Sequence, residues 1–125
     1  MRKILVIDDD TGVLELVEEI LNYEGYQVVP LTFCQDILLT ISQYDPALII
    51  MDYFLNGKNG GALCQLIKQT DATAHLPVLL YSAYPDIKRD LDHFGCDAFL
   101  AKPFDITELT QTVNTLLQTN ADFLV

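Results

Sequence analysis

The sequence predicts an α/β domain, a five-stranded parallel sheet in the order 2-1-3-4-5 with helices on both faces. Two observations predict it. Five runs rich in apolar residues, over 4–7, 26–31, 47–51, 78–81 and 98–101, are too short for helices and read as strands covered on both sides. Between them lie longer stretches whose apolar residues recur every three or four positions, as in helices that bury one stripe. Strands alternating with helices build parallel crossover units, and right-handed crossovers leave few arrangements of five.

Each element has its own warrant. The first strand, 4–7, stops at Asp8, Asp9 and Asp10, and Leu14, Val17 and Leu21 then recur at helical spacing until Gly25 closes the pattern. Val28 and Val29 centre the second strand. Ile37, Leu38 and Ile41 mark a short helix ending near Tyr44, before the Pro46 that introduces the third strand. That strand, 47–51, ends on Asp52 and opens into the glycine-rich loop YFLNGKNGG. Leu63, Leu66 and Ile67 give a helix from near Gly60 to Thr70. The fourth strand enters through Pro77 and ends at Ser82; Ile87, Leu91 and Phe94 define a helix opened by Pro85 and Asp86 and stopped by Gly95. The fifth strand ends at Lys102. For the last helix, Asp105 is the N-cap with Glu108 at N3, a capping box, while Phe104 and Leu109 form a hydrophobic staple and Val113, Leu116 and Leu117 continue the stripe. The commonest order for five such units is the flavodoxin-like one, which makes strands 1, 3, 4 and 5 neighbours.

Composition bounds the function. A chain of 125 residues fits one domain over 1–125, with no effector domain expected, and 50% hydrophobic residues supply a substantial core. Seven Lys and Arg against 18 Asp and Glu leave a net charge of -11, which repels a phosphate backbone and argues against direct nucleic-acid binding. No run approaches the ~20 apolar residues that span a bilayer, and the opening MRKILVIDDD lacks a signal-peptide core, so a cytoplasmic protein without membrane contact is expected. Cys34, Cys64 and Cys96 are odd in number and form no close ligand pair, and they read as buried thiols. His75 and His93 read as solvated. The tail Phe123, Leu124 and Val125 has no partner in the sequence.

The predicted order brings Asp8 with Asp9, Asp52, Ser82 and Lys102 to adjacent strand ends at the carboxyl edge, where open α/β sheets bind ligands. Carboxylates gathered there repel one another unless a cation joins them. Hard, oxygen-ligated Mg²⁺ suits such a shallow acidic site, and Mn²⁺ is an alternative. A carboxylate so neutralised can attack phosphorus, with Asp52 as the central nucleophile and the Lys102 ammonium and Ser82 hydroxyl stabilising the transferring oxygens.

These same segments, VIDDD, LIIMDYFLNGKNGG, LLYSAY and FLAKPF, resemble the receiver domain of two-component response regulators, over essentially the whole chain. The resemblance implies that Asp52 accepts a phosphoryl group from a sensor histidine kinase or histidine phosphotransfer protein. It implies that Asp9, Asp52 and the backbone carbonyl of Phe54 bind Mg²⁺ with Asp8 acting through water, and that Ser82 and Phe99 form the switch pair. It further implies that Lys102 contacts the phosphoryl oxygens, that a cis peptide leads into Pro103, and that the fourth helix, fifth strand and fifth helix, roughly 85–118, form the face that controls an unknown downstream protein. The resemblance also implies a stand-alone signalling domain, a monomer or weak dimer, expected to catalyse only its own phosphorylation and slow dephosphorylation. Asn56 stands where the family often has proline, and Ser82 where threonine is commoner. Phe54 and Tyr84, two residues beyond Asp52 and Ser82, fall where members of the resembled family vary, and two bulky rings there are expected to screen the acyl phosphate from water and lengthen its lifetime.

Two alternatives remain at this stage. One is a phosphorylation-independent interaction module on the same fold. The other is a haloacid-dehalogenase-type phosphatase, whose DxDxT opening is approached by Asp8, Asp10, Thr11 and Gly12 with the last pair transposed, but which leaves Asp52 without a role.

Overall fold

A computed structural model describes residues 2–55, 57–84 and 94–123. Five parallel strands, β1 (Lys3–Ile7), β2 (Gln27–Leu31), β3 (Leu48–Asp52), β6 (Val78–Ser82) and β7 (Ala98–Ala101), form one sheet in the order β2-β1-β3-β6-β7. In terms of the five predicted strands this is 2-1-3-4-5. The extra numbers belong to a small antiparallel hairpin, β4 (Phe54–Leu55) and β5 (Lys58–Asn59), that follows β3 at once. The described helices are α1 (Thr11–Tyr23), α2 (Ile37–Tyr44), α3 (Gly60–Gln69) and α4 (Ile106–Phe123). The predicted helix between strands 4 and 5 lies outside the described residues except at Phe94, as do His93 and the tail residues Leu124 and Val125. Among the described residues no helix is long and apolar enough to cross a membrane.

Alternation along each strand divides the core into two layers. Ile4, Val6, Leu48, Ile50, Leu79 and Tyr81 face α1 and α4, where Leu14, Val17, Leu21, Leu109, Val113 and Leu117 meet them. Leu5, Ile7, Ile49, Met51, Val78 and Leu80 face α2 and α3, meeting Ile37, Ile41, Cys64 and Ile67. The central strands are therefore apolar throughout because neither face sees water. The edge strand β2 is half-exposed and accommodates Pro30, which an interior strand would not.

Helix starts follow the capping residues. Asp10 accepts from the Gly12 and Val13 amides at 3.0 and 3.2 Å, Asp36 from Leu39, and Asn59 from Ala62. In the predicted capping box, the Glu108 amide donates to Asp105 at 2.7 Å and the Asp105 amide to Glu108 at 3.4 Å. One stripe departs from expectation. α3 buries Gly60, Gly61, Cys64 and Ile67, while Leu66 is exposed, because Gly60 lets the start of the helix press onto the end of β3 and Gly61 lies against the Phe94 ring. Cys34 and Cys64 are buried, but Cys96 is only half-buried, since it lies in the turn leading into β7; none of the three is in a disulfide.

Cations tie loops to the frame. The Lys58 ammonium donates to the Cys34 and Gln35 carbonyls at 2.7 and 2.6 Å, fastening the hairpin after β3 to the loop after β2. Lys68 bridges the Leu76 carbonyl, 2.5 Å, and Asp97, 2.7 Å, and Asp97 also accepts from the Val78 amide.

Candidate functional site

β1, β3, β6 and β7 end side by side, and each delivers a polar group at the same edge. Just past β1, Asp8 is wholly buried and Asp9 exposed. Carboxylate oxygens of Asp8, Asp9 and Asp52 lie within 4.8 Å of one another. Lys102, just past β7, reaches across to both deeper acids, with its ammonium 2.7 Å from Asp52 Oδ2 and 3.1 Å from Asp8 Oδ2. The Lys102–Pro103 bond is cis.

The remaining lone pairs are held from below. Asp8 Oδ1 accepts from the Asp10 amide at 2.8 Å, and Oδ2 also accepts from the Tyr81 hydroxyl at 2.5 Å. Asp52 Oδ1 accepts from the Phe54 amide at 3.1 Å, a bond that the hairpin makes possible by turning the chain immediately after the strand. Ser82 is buried, and its Oγ accepts from the Tyr84 amide at 3.0 Å. Phe99 does not stand at this edge. It pairs in register with Leu80, two residues back from Ser82, and is half-buried on the α2 and α3 side.

Electrostatics is uneven across the group. Burial raises the Asp52 pKa and the Asp8 charge adds to this, while the bonds from Lys102 and the Phe54 amide oppose it. Burial alone would lower Lys102, but the carboxylates of Asp52 and Asp8 outweigh it and hold its pKa above the ordinary lysine value. The pair is thus asymmetric because one ammonium serves two acids. Tyr81 is raised by burial and by its bond to Asp8, so its phenol stays protonated and acts as a donor.

Three carboxylates against one ammonium leave excess negative charge in a cluster that has no Cys or His among its members. That donor set fits a hard divalent cation such as Mg²⁺ rather than Zn²⁺. Asp10 takes no part, since its carboxylate is used in capping α1. This removes one of the two acids that a DxDxT-type phosphatase site needs.

Two features were missed in the sequence. The hairpin lacks the alternating apolar pattern that marks longer strands, and its only signal was the NG pair at Asn56 and Gly57, of which Gly57 has φ +81°. The Tyr81 hydroxyl was missed because a tyrosine inside an apolar run reads as core. The signal available was the cost of burying a phenol without an acceptor nearby.

Rings gather beside the site. Phe54 and Tyr84, 50% and 61% exposed, meet edge to face at 5.0 Å, Tyr53 adjoins Phe54 at 4.9 Å, and Phe94 adjoins Tyr53 at 5.6 Å.

A family model described as the response regulator receiver domain matches residues 4–114. The DNA-binding dual master transcriptional regulator RpaA of Synechocystis is 34% identical over 120 residues, which cover 94% of this chain and 50% of RpaA. The response regulator TrrA of Thermotoga maritima, crystallised in complex with Mg²⁺ and BeF, superposes with a TM-score of 0.84 at 28% identity, covering 94% of this chain and 100% of that one. The receiver domain of NtrX from Brucella abortus superposes with a TM-score of 0.82 at 30% identity, covering 93% and 98%. The chain spans about half the length of the curated relatives it matches.

Proposed function

The chain belongs to the response regulator receiver domain family, and from that premise we propose that Asp52 is its phosphoacceptor, taking a phosphoryl group from a histidine kinase or a histidine phosphotransfer protein. The observation that carries this reading is the Lys102 ammonium held 2.7 Å from Asp52 Oδ2 within a cluster of three carboxylates. Lys102 opposes the burial that raises the Asp52 pKa and stands where the incoming oxygens must be met. An Asp52 oxygen attacks phosphorus, the P–N bond to the donor imidazole breaks, and its electron pair returns to the ring nitrogen, leaving an acyl phosphate on Asp52. Asp9, Asp52 and the Phe54 carbonyl, with Asp8 through water, are the residues suited to hold Mg²⁺, or Mn²⁺, which supplies neutralisation of the phosphoryl oxygens.

Signalling then depends on Ser82. Its hydroxyl exchanges the Tyr84 amide for a phosphoryl oxygen, and Phe99 turns inward behind it. The face made by the predicted helix between the fourth and fifth strands, β7 and α4 is thereby biased toward a second arrangement, which a partner protein recognises through differential contacts. RpaA is named as a DNA-binding regulator. In this chain a net charge of -11 favours output through protein contacts over direct contact with DNA.

The test is incubation with acetyl phosphate and MgCl₂ followed by intact mass measurement. The expected result is an adduct of about 80 Da, one phosphoryl group, that Asp52→Asn abolishes. No adduct with acetyl phosphate or with a phosphorylated histidine donor overturns the reading in favour of a phosphorylation-independent module.

A further inference from the structure

Tyr81 is the largest fully buried side chain described, with 1% exposure, and it lies one residue before Ser82 on β6. An aliphatic residue there would complete the apolar layer it shares with Leu79 and Leu100. The phenol instead carries an oxygen into that layer, which is tolerated only because an acceptor waits. Its hydroxyl donates to Asp8 Oδ2 at 2.5 Å, and its ring lies 4.4 Å below the Lys102 ammonium, with Phe104 edge-on at 5.7 Å. A single side chain thus touches both the wholly buried Asp8 and Lys102, the cation paired with it among the described residues.

Asp8 Oδ2 has two donors, Tyr81 and Lys102. If Lys102 turns fully to a phosphoryl group on Asp52, Asp8 loses its cation while remaining wholly buried, and a buried carboxylate without compensation is costly. We propose that Tyr81 is a positioning residue of the cation and phosphoryl site, its hydroxyl holding Asp8 in place of Lys102 when the ammonium leaves, and its ring keeping that ammonium within reach of Asp52. This rests on the receiver reading of the site. It adds that the phenol and a divalent cation compensate the same buried charge, so that removing the hydroxyl makes Asp8 lean harder on the cation.

The experiment compares wild type with Tyr81→Phe, which keeps the ring and deletes the hydroxyl, by calorimetric titration with MgCl₂ and by thermal melts with and without MgCl₂. Without the cation the variant melts lower by roughly 3–6 °C; saturating MgCl₂ closes most of that gap, and Mg²⁺ binds on the order of fivefold tighter than to wild type. In an Asp8→Asn background the same substitution leaves Mg²⁺ affinity unchanged. A purely packing role predicts an equal drop in melting temperature with and without MgCl₂ and an unchanged affinity, and either that result or weaker Mg²⁺ binding overturns the proposal. A wild type that does not respond to MgCl₂ overturns the cation site itself, and the proposal with it. Should Tyr81→Phe not fold, wild type labelled with ¹³C at tyrosine Cζ decides the matter, since MgCl₂ must then shift the Tyr81 resonance, and an unmoved resonance overturns the proposal.

Discussion

Replacing Gly60 with alanine puts a methyl group where the backbone of Asp52 and Tyr53 already stands. A Cβ on Gly60 would lie 2.5 Å from the Asp52 carbonyl oxygen and 2.9 Å from Tyr53 Cα, whereas ordinary contact begins at 3.4 Å, so 0.9 Å must be found. No side chain can rotate to give it, because both atoms are backbone, and the Gly60 amide is itself bonded to the Tyr53 carbonyl at 2.6 Å. Overpacking costs about 1–3 kcal/mol, and a rigid neighbour places this case in the upper half. The better helix propensity of alanine returns at most about 1 kcal/mol and less in a first turn. The net loss is about 2 kcal/mol, which for a domain of this size lowers the melting temperature by about 8 °C. Because the displaced atoms belong to Asp52 and the residue after it, the rate of adduct formation from acetyl phosphate falls as well, by roughly tenfold or more. Circular dichroism melts and timed mass spectra measure the two effects. Gly12→Ala is the control, since its Cβ meets only the Asp10 carboxylate, at 3.3 Å, and the expected change is within about 0.5 kcal/mol. If Gly60→Ala melts together with Gly12→Ala, the close approach of α3 to β3 is not as described and the reasoning fails.

Three further outcomes follow from the site and its supports. Phe54→Asn combined with Tyr84→Ala removes the edge-to-face pair beside Asp52 and admits water, so loss of the phosphoryl group in MgCl₂ accelerates by roughly threefold or more; equal or slower loss refutes the screening role. Lys58→Met removes both bonds that fasten the hairpin to the loop after β2, at a cost of about 1–2 kcal/mol, and hydrogen exchange rises at 57–59 before it rises in the sheet. Protection unchanged at those amides would count against the tie. Lys102 has its pKa raised in the fold, so its contribution is complete below the ordinary lysine value of 10.5 and is lost only as pH climbs through the higher folded value. The stability difference between wild type and Lys102→Met, measured by urea unfolding, therefore holds steady from pH 7 to pH 10 and narrows above that range; narrowing below pH 9 contradicts the pairing with Asp52 and Asp8.

Much of this architecture was legible because the sheet is buried on both faces. Runs such as LIIM in β3 and VLLY in β6 carry no amphipathic ambiguity, and the residue that ends each run marks the sheet edge. Hence Asp8, Asp52, Ser82 and Lys102 could be assigned to one place before any contact was known. The capping box of α4 was equally readable, since it depends on residues three apart. What escaped depends on distance across the fold. Lys58 reaches the carbonyls of Cys34 and Gln35, Lys68 reaches Asp97, and the Tyr81 hydroxyl reaches Asp8, and none of these pairs has a local pattern. The α3 stripe was misread for a related reason. A glycine has no hydropathy to contribute, so Gly60 and Gly61 did not register as a buried face, and Leu66 was given a place it does not occupy. The hairpin after Asp52 is two residues per strand, below the length at which alternation means anything.

The rings beside the site also make the domain legible to light. The chain has six tyrosines and no tryptophan, so tyrosine emission is not swamped by a brighter fluorophore. Three of the six, Tyr53, Tyr81 and Tyr84, border the acidic cluster, one with its hydroxyl on Asp8 and one with its amide on Ser82. Quenching of a phenol is sensitive to the carboxylate it is bonded to and to the water around it. Three of the six phenols thus lie on or beside the site, and occupancy there can be followed in unlabelled protein, in real time, by the intensity of its own fluorescence.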